Sequence, residues 1–167
     1  HFHEHSLTSK SGVHLELHFN VTENIDKLDV LLERIWDYSH PASSDSHRFE
    51  LSNEFLIFHN VAHMEYHFVA GGCGIRPFID LWLMENKLSF SKEKVNELLN
   101  VTKSVVFYEK VKELISVWFQ GKEHNETTEM MEEYILTGGV FGSKENRVSA
   151  DIHKKGSKKT YLISRIF

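Results

Sequence analysis

Apolar and polar residues alternate from Val13 to Phe19, so a strand there puts Val13, Leu15, Leu17 and Phe19 on one face and His14, Glu16 and His18 on the other. The apolar face is expected to enter a core. Residues 1–5 alternate in the same way, and the polar, glycine-bearing stretch Ser6–Gly12 suits a turn, so the first twenty residues are expected to form a hairpin. Two strands do not hold together alone in water and need a further layer behind them.

From Asn24 the period changes. Ile25, Leu28, Leu31, Leu32, Ile35 and Trp36 recur at helical spacing, which predicts a helix over about 25–38, followed by a loop at Pro41 and Ser43-Ser44-Asp45-Ser46. A long helix is expected from Asn53 to Ala70, capped by Ser52 and stopped by Gly71-Gly72. Shorter helices are expected over Pro77–Glu85, after the cap Ser91, over Lys103–Gln120 and over Thr127–Leu136. Beyond Gly142 the chain turns basic, with room for one short helix. The fold class is α+β: terminal strands over 1–20, a helical domain over 21–142, and a basic, partly helical segment over 143–167. The abrupt, apolar ends suggest a piece cut from a longer protein, with a missing N-terminal region of the same protein as one of its partners.

Composition narrows the class without naming it. The 167 residues are 41% hydrophobic and 26% charged, enough for a sizeable core, and the formal net charge of −5 does not advertise nucleic-acid binding. No apolar run approaches the ~20 residues of a membrane span, so no membrane partner is expected. The single cysteine, Cys73, excludes an intrachain disulfide and points to a reducing, cytoplasmic setting, where a buried thiol is the simplest role for it. Trp36, Trp82, Trp118, Phe107 and Phe119 fall at helical spacing and are expected in the core. The lysines and arginine of the last segment (Lys144, Arg147, Lys154, Lys155, Lys158, Lys159) read as a solvated face.

Glu16 is the residue whose setting suggests chemistry. Carboxylates held on strands fix the metal ions of two-metal phosphoryl and nucleotidyl transfer, but one carboxylate does not hold two ions. From the residues alone, Glu16 and its flanking histidines could equally be a solvated face. His1, His3 and His5 also alternate, and five imidazoles beside Glu16 would trap Zn²⁺ or Ni²⁺ incidentally. His59, His63 and His67 stand four apart on one helix face, without the glutamate that a zincin helix places after its first histidine. Glu65 is expected on another side of that helix. Arg76 and Asp80 suit an ion pair, with a phosphate as the alternative target of Arg76. Gly71-Gly72-Cys73-Gly74 lacks the lysine and hydroxyl of a phosphate loop.

The order of these motifs resembles an uncharacterised bacterial nucleotidyltransferase family of the polymerase-beta-like superfamily. Val13–Phe19 matches its Glu-Leu-His strand, Phe58–Ala70 its histidine-bearing helix, Gly74–Leu83, with Arg76 and Asp80, its arginine and aspartate-leucine segment, and Gly138–Gly142 a late glycine-rich element. The resemblance implies metal-dependent transfer of a nucleoside monophosphate from an NTP to an unknown acceptor (small molecule, protein or RNA). It makes Glu16 the third carboxylate of the site, holding Mg²⁺ or Mn²⁺ with His14 beside it, and His18, His63, Arg76 and Asp80 substrate-binding. The family's upstream glycine motif and paired aspartates do not occur in these residues, so this chain alone is expected to be inactive. Two other classes stay open: a non-catalytic helical interaction module, including a homodimer, and a histidine-centred metal-binding domain.

Overall fold

The computed structural model describes residues 4–138. Its fold is α+β: an N-terminal antiparallel hairpin, β1 (Glu4–Thr8) and β2 (His14–His18), followed by a helical body. The body contains α1 (Asp26–Leu32), a 3-10 turn (Ile35–Tyr38), a second small antiparallel pair, β3 (Ser39–Pro41) and β4 (Phe49–Leu51), and the helices α2 (Asn53–Ala70), α3 (Arg76–Lys87), α4 (Lys92–Val101), α5 (Val105–Gln120) and α6 (Glu126–Gly138). The basic segment from residue 143 and the element Gly139–Gly142 lie outside the described residues.

Helix α2 is central because half of its circumference is a broad, buried apolar face. Phe55, Ile57, Phe58, Val61, Ala62, Met64 and Phe68 are buried on it, and it packs against α3 and α4, with α5 and α6 completing the bundle. The ends of α2 are set locally. The Ser52 hydroxyl accepts a hydrogen bond from the Phe55 N–H, and Gly71 leaves the helix at φ 105°, a left-handed conformation that costs glycine little. Ser91 caps α4 in the same manner, accepting from Lys94. Between the two helix starts, the Glu54 carboxylate accepts the Ser91 N–H at 2.9 Å, which holds Glu54 below its ordinary pKa.

Three expectations are corrected here. The helix from residue 25 does not run to 38: α1 ends at Leu32, and a tighter turn delivers Tyr38 onto Phe55, rings stacked at 4.4 Å, before the chain enters β3. An apolar spacing of three to four residues fits both helical forms, so periodicity did not separate them. The strands β3 and β4 are three residues each, too short for alternation to show. Trp36 is not core material. It is 71% exposed, edge-on to Phe49, while Trp82, Trp118 and Phe119 pack against the core and Phe107 is buried in it.

The hairpin differs from expectation in position and partners. β1 runs on to Thr8, so the turn shrinks to Ser9–Gly12, where Gly12 takes φ 85° and Ser9 bonds Val13 through both its N–H and its hydroxyl. Its apolar face does not enter the core: Leu7, Leu15, Leu17 and Phe19 are all at least half exposed.

Candidate functional site

The register of the hairpin builds the site around Glu16. Ser6 stands opposite Glu16, Thr8 opposite His14 and Glu4 opposite His18, while His5 stands opposite Leu17 and so belongs to the apolar face, its ring 5.4 Å from that of Phe19. The expected five-histidine surface therefore does not form: alternation puts odd-numbered β1 residues on the face opposite to His14 and His18. His1 and His3 lie outside the described residues. Among the described residues, no group of three or more His, Cys, Asp or Glu side chains is arranged to hold a metal ion.

Glu16 itself sits between two imidazoles. Its Oε1 is 3.2 Å from His14 Nε2 and its Oε2 is 3.8 Å from His18 Nε2. The other nitrogen of His14, Nδ1, is 3.1 Å from the Thr8 hydroxyl, so the ring is held from both sides. All three side chains are about half exposed. This is an open, solvent-accessible carboxylate with an imidazole nitrogen on either side.

The remaining predicted residues lie on the helical body. On α2, His63 Nδ1 is 2.7 Å from Glu23 Oε1, and His63 Nε2 is 3.0 Å from His67 Nε2. A carboxylate only accepts, so Nδ1 carries the proton and donates to Glu23. In neutral His63 this leaves Nε2 as the acceptor of a hydrogen bond from His67. His59 continues the row, its ring parallel to that of His63 at 6.3 Å. Burial, assisted by the charge of His63, holds both His59 and His67 below the ordinary histidine range. Arg76 and Asp80 form the anticipated pair at 3.7 Å on α3, with the guanidinium 92% exposed. The structure thus gathers His14, Glu16 and His18 into one cluster. His63 belongs to a second, with Glu23 and His67, and Arg76 with Asp80 to a third.

Cys73 is buried and surrounded by apolar groups that push its thiol up to about 12, which fits a structural thiol and not a nucleophile.

Glu65 lies on another side of α2 from the histidines, as expected, but its burial and the part played by Glu23 are not foreseen from the sequence. Glu65 is 1% exposed and paired with Lys27 of α1, and its Oε2 has no hydrogen-bond partner among the described residues. Its signal was present: Glu65 follows Val61 by four residues and precedes Phe68 by three, which places a charge in the apolar stripe of α2. Glu23 had no such signal, since its partner His63 lies 40 residues away.

A model of the uncharacterised nucleotidyltransferase family matches residues 1–120. Neither a curated protein nor a solved structure matches the chain.

Proposed function

The chain belongs to the uncharacterised nucleotidyltransferase family, and from that premise we propose that it is part of a metal-dependent enzyme that transfers a nucleoside monophosphate from an NTP to an acceptor. The observation that carries the proposal is Glu16, an accessible carboxylate on a strand, bracketed by His14 and His18.

Glu16 would be one carboxylate of a two-ion site. In this arrangement His14 Nε2 donates to Glu16 Oε1 at 3.2 Å and so orients the carboxylate, which would be the group to hold a Mg²⁺ or Mn²⁺ ion. Bound there, the ion would supply charge neutralisation at the triphosphate. The nucleotidyl phosphorus forms its new bond to the acceptor oxygen as the bond to pyrophosphate breaks. His18, on the other side of Glu16, would accept the acceptor proton or bind the acceptor. The exposed guanidinium of Arg76, loosely held by Asp80, is available for a phosphate.

Two ions need more carboxylates than Glu16, and we assign these to sequence outside the 167 residues. The half-exposed Leu7, Leu15, Leu17 and Phe19 support that assignment, because an apolar hairpin face of this kind suits a further layer of a catalytic sheet. The alternative, an interaction module without chemistry, would use the same apolar face but would not need Glu16. The test is label transfer from each radiolabelled NTP by the complete gene product with Mg²⁺ or Mn²⁺, beside Glu16→Ala. Transfer that disappears in the variant supports the proposal. Absence of both transfer and NTP binding in the folded protein favours the interaction module.

A further inference from the structure

We propose that Glu23 and His63 form a clamp that sets the direction in which the Glu16 strand leaves the helical body, making His63 a positioning residue for Glu16. The proposal rests on the catalytic reading of Glu16 for its consequence, though not for its geometry.

The hairpin needs such a device. Every residue from His5 to Asn20 is exposed, and among the described residues the hairpin makes no extensive contact with any helix. Its orientation therefore depends on the short tether that follows β2, and each step of that tether is fixed. The Asn20 side chain accepts the Thr22 N–H at 2.9 Å, closing a local turn. Val21 and Ile25 pack against the core. The Glu23 N–H donates to Asp29 Oδ1 of α1 at 2.8 Å, and the Glu23 carboxylate accepts from His63 Nδ1 of α2 at 2.7 Å. Asn24 then turns the chain at φ 58°, a left-handed conformation that asparagine tolerates better than most residues.

Glu23 is thus bonded to two helices at once, by backbone to α1 and by side chain to α2. Its side chain is only 15% exposed, so the bond to His63 is partly shielded from competing water. His67 braces the imidazole from its far side through Nε2. A chain that only needed to connect hairpin and helix would not require a left-handed asparagine next to a residue bonded to two helices. With the Glu23 carboxylate released, the tether would keep its apolar anchors and its backbone bond to α1 but lose its tie to α2.

The test measures orientation and needs neither nucleotide nor acceptor. Spin labels are placed on cysteines introduced at the hairpin turn (Ser11→Cys) and on α3 (Lys87→Cys) of the complete gene product. Cys73 stays unlabelled because it is buried and its thiol is pushed up to about 12. The label-to-label distance distribution is then read by pulsed electron resonance. His63→Ala and Glu23→Ala are expected to broaden the distribution about twofold, as one local restraint is lost. His63→Asn, whose amide N–H₂ lies near the position of Nδ1, and Glu23→Gln, which keeps an acceptor oxygen, are expected to restore the narrow distribution. Thermal melting of each variant separates local release from global unfolding. An unchanged distribution in a folded His63→Ala protein overturns the proposal, as does failure of His63→Asn to narrow it. Label transfer tests the catalytic reading separately, so either can fail without the other.

Discussion

Glu23 accepts a hydrogen bond from Nδ1 of His63 at 2.7 Å, across 40 residues of sequence, and in doing so ties the segment after the Glu16 strand to the central helix of the body. The same helix carries, two residues later, a buried Glu65 paired with Lys27. Two carboxylate contacts therefore fasten the start of the helical body to α2, one through a histidine and one through a lysine.

The Lys27–Glu65 pair should be expensive to break from one side. Lys27→Met leaves a carboxylate that is 1% exposed without its cation, and we expect a loss of about 3 kcal/mol, the lower end for buried pairs because Lys27 reaches solvent. Lys27→Met combined with Glu65→Met should cost less than the single change, since no charge is then stranded. Urea unfolding of the two proteins measures the difference, and equal losses would contradict the pairing.

Acidification should weaken the fold through His59 and His67. Both have folded pKa values below the ordinary 6.5, chiefly from burial and then from the charge of His63, with Glu23 pulling the other way. The unfolded chain therefore takes up these protons first. Stability is full above about 6.5 and falls as pH drops from there through the lowered folded values. Melting curves at pH 7.5 and 5.5 should show the loss, and His67→Gln should reduce its pH dependence. A melting temperature for His67→Gln that falls with acid as steeply as the wild type would contradict the assignment.

Cys73 should be inert in the native protein. A thiol pushed up to about 12 leaves a thiolate fraction on the order of 10⁻⁴ at pH 8, and the side chain is buried besides. Reaction with a disulfide reagent should await unfolding in denaturant. Prompt stoichiometric labelling of the folded protein would show that the thiol is accessible.

Tyr134 donates its hydroxyl to the carbonyl of Phe68 at 2.7 Å, near the end of α2, and its ring stacks on the Phe68 ring. Tyr134→Phe keeps the stacking and loses the bond, so a cost of about 1 kcal/mol is expected. Phe68→Ala, which empties part of the core, should cost about 3–5 kcal/mol. A chemical denaturation series distinguishes the two magnitudes.

Much of the body was legible in the sequence because its signals are local. Ser52 and Ser91 cap the helices they were expected to cap, and Gly71 ends α2. Those signals need only a hydroxyl or a missing Cβ at a defined step. What was not legible depended on distance or on a partner. Alternation from Val13 to Phe19 revealed the shared face of His14, Glu16 and His18, but not that Leu15 and Leu17 would stay exposed, because pattern records a face and not what covers it. The histidine row on α2 was visible at its spacing of four. Glu23, which gives His63 its orientation, was hidden, since its partner arrives only when the chain folds back.

Metal binding at Glu16 is read most directly with a paramagnetic ion. Manganese is added with NTP to the complete gene product labelled with ¹⁵N-histidine, and paramagnetic broadening of each imidazole is recorded. His14 and His18 should broaden first, since both lie within 4 Å of the Glu16 carboxylate, and Glu16→Gln should markedly weaken this effect. Broadening that spares His14 and His18, or that is unchanged in Glu16→Gln, would contradict the placement of the metal site at the hairpin.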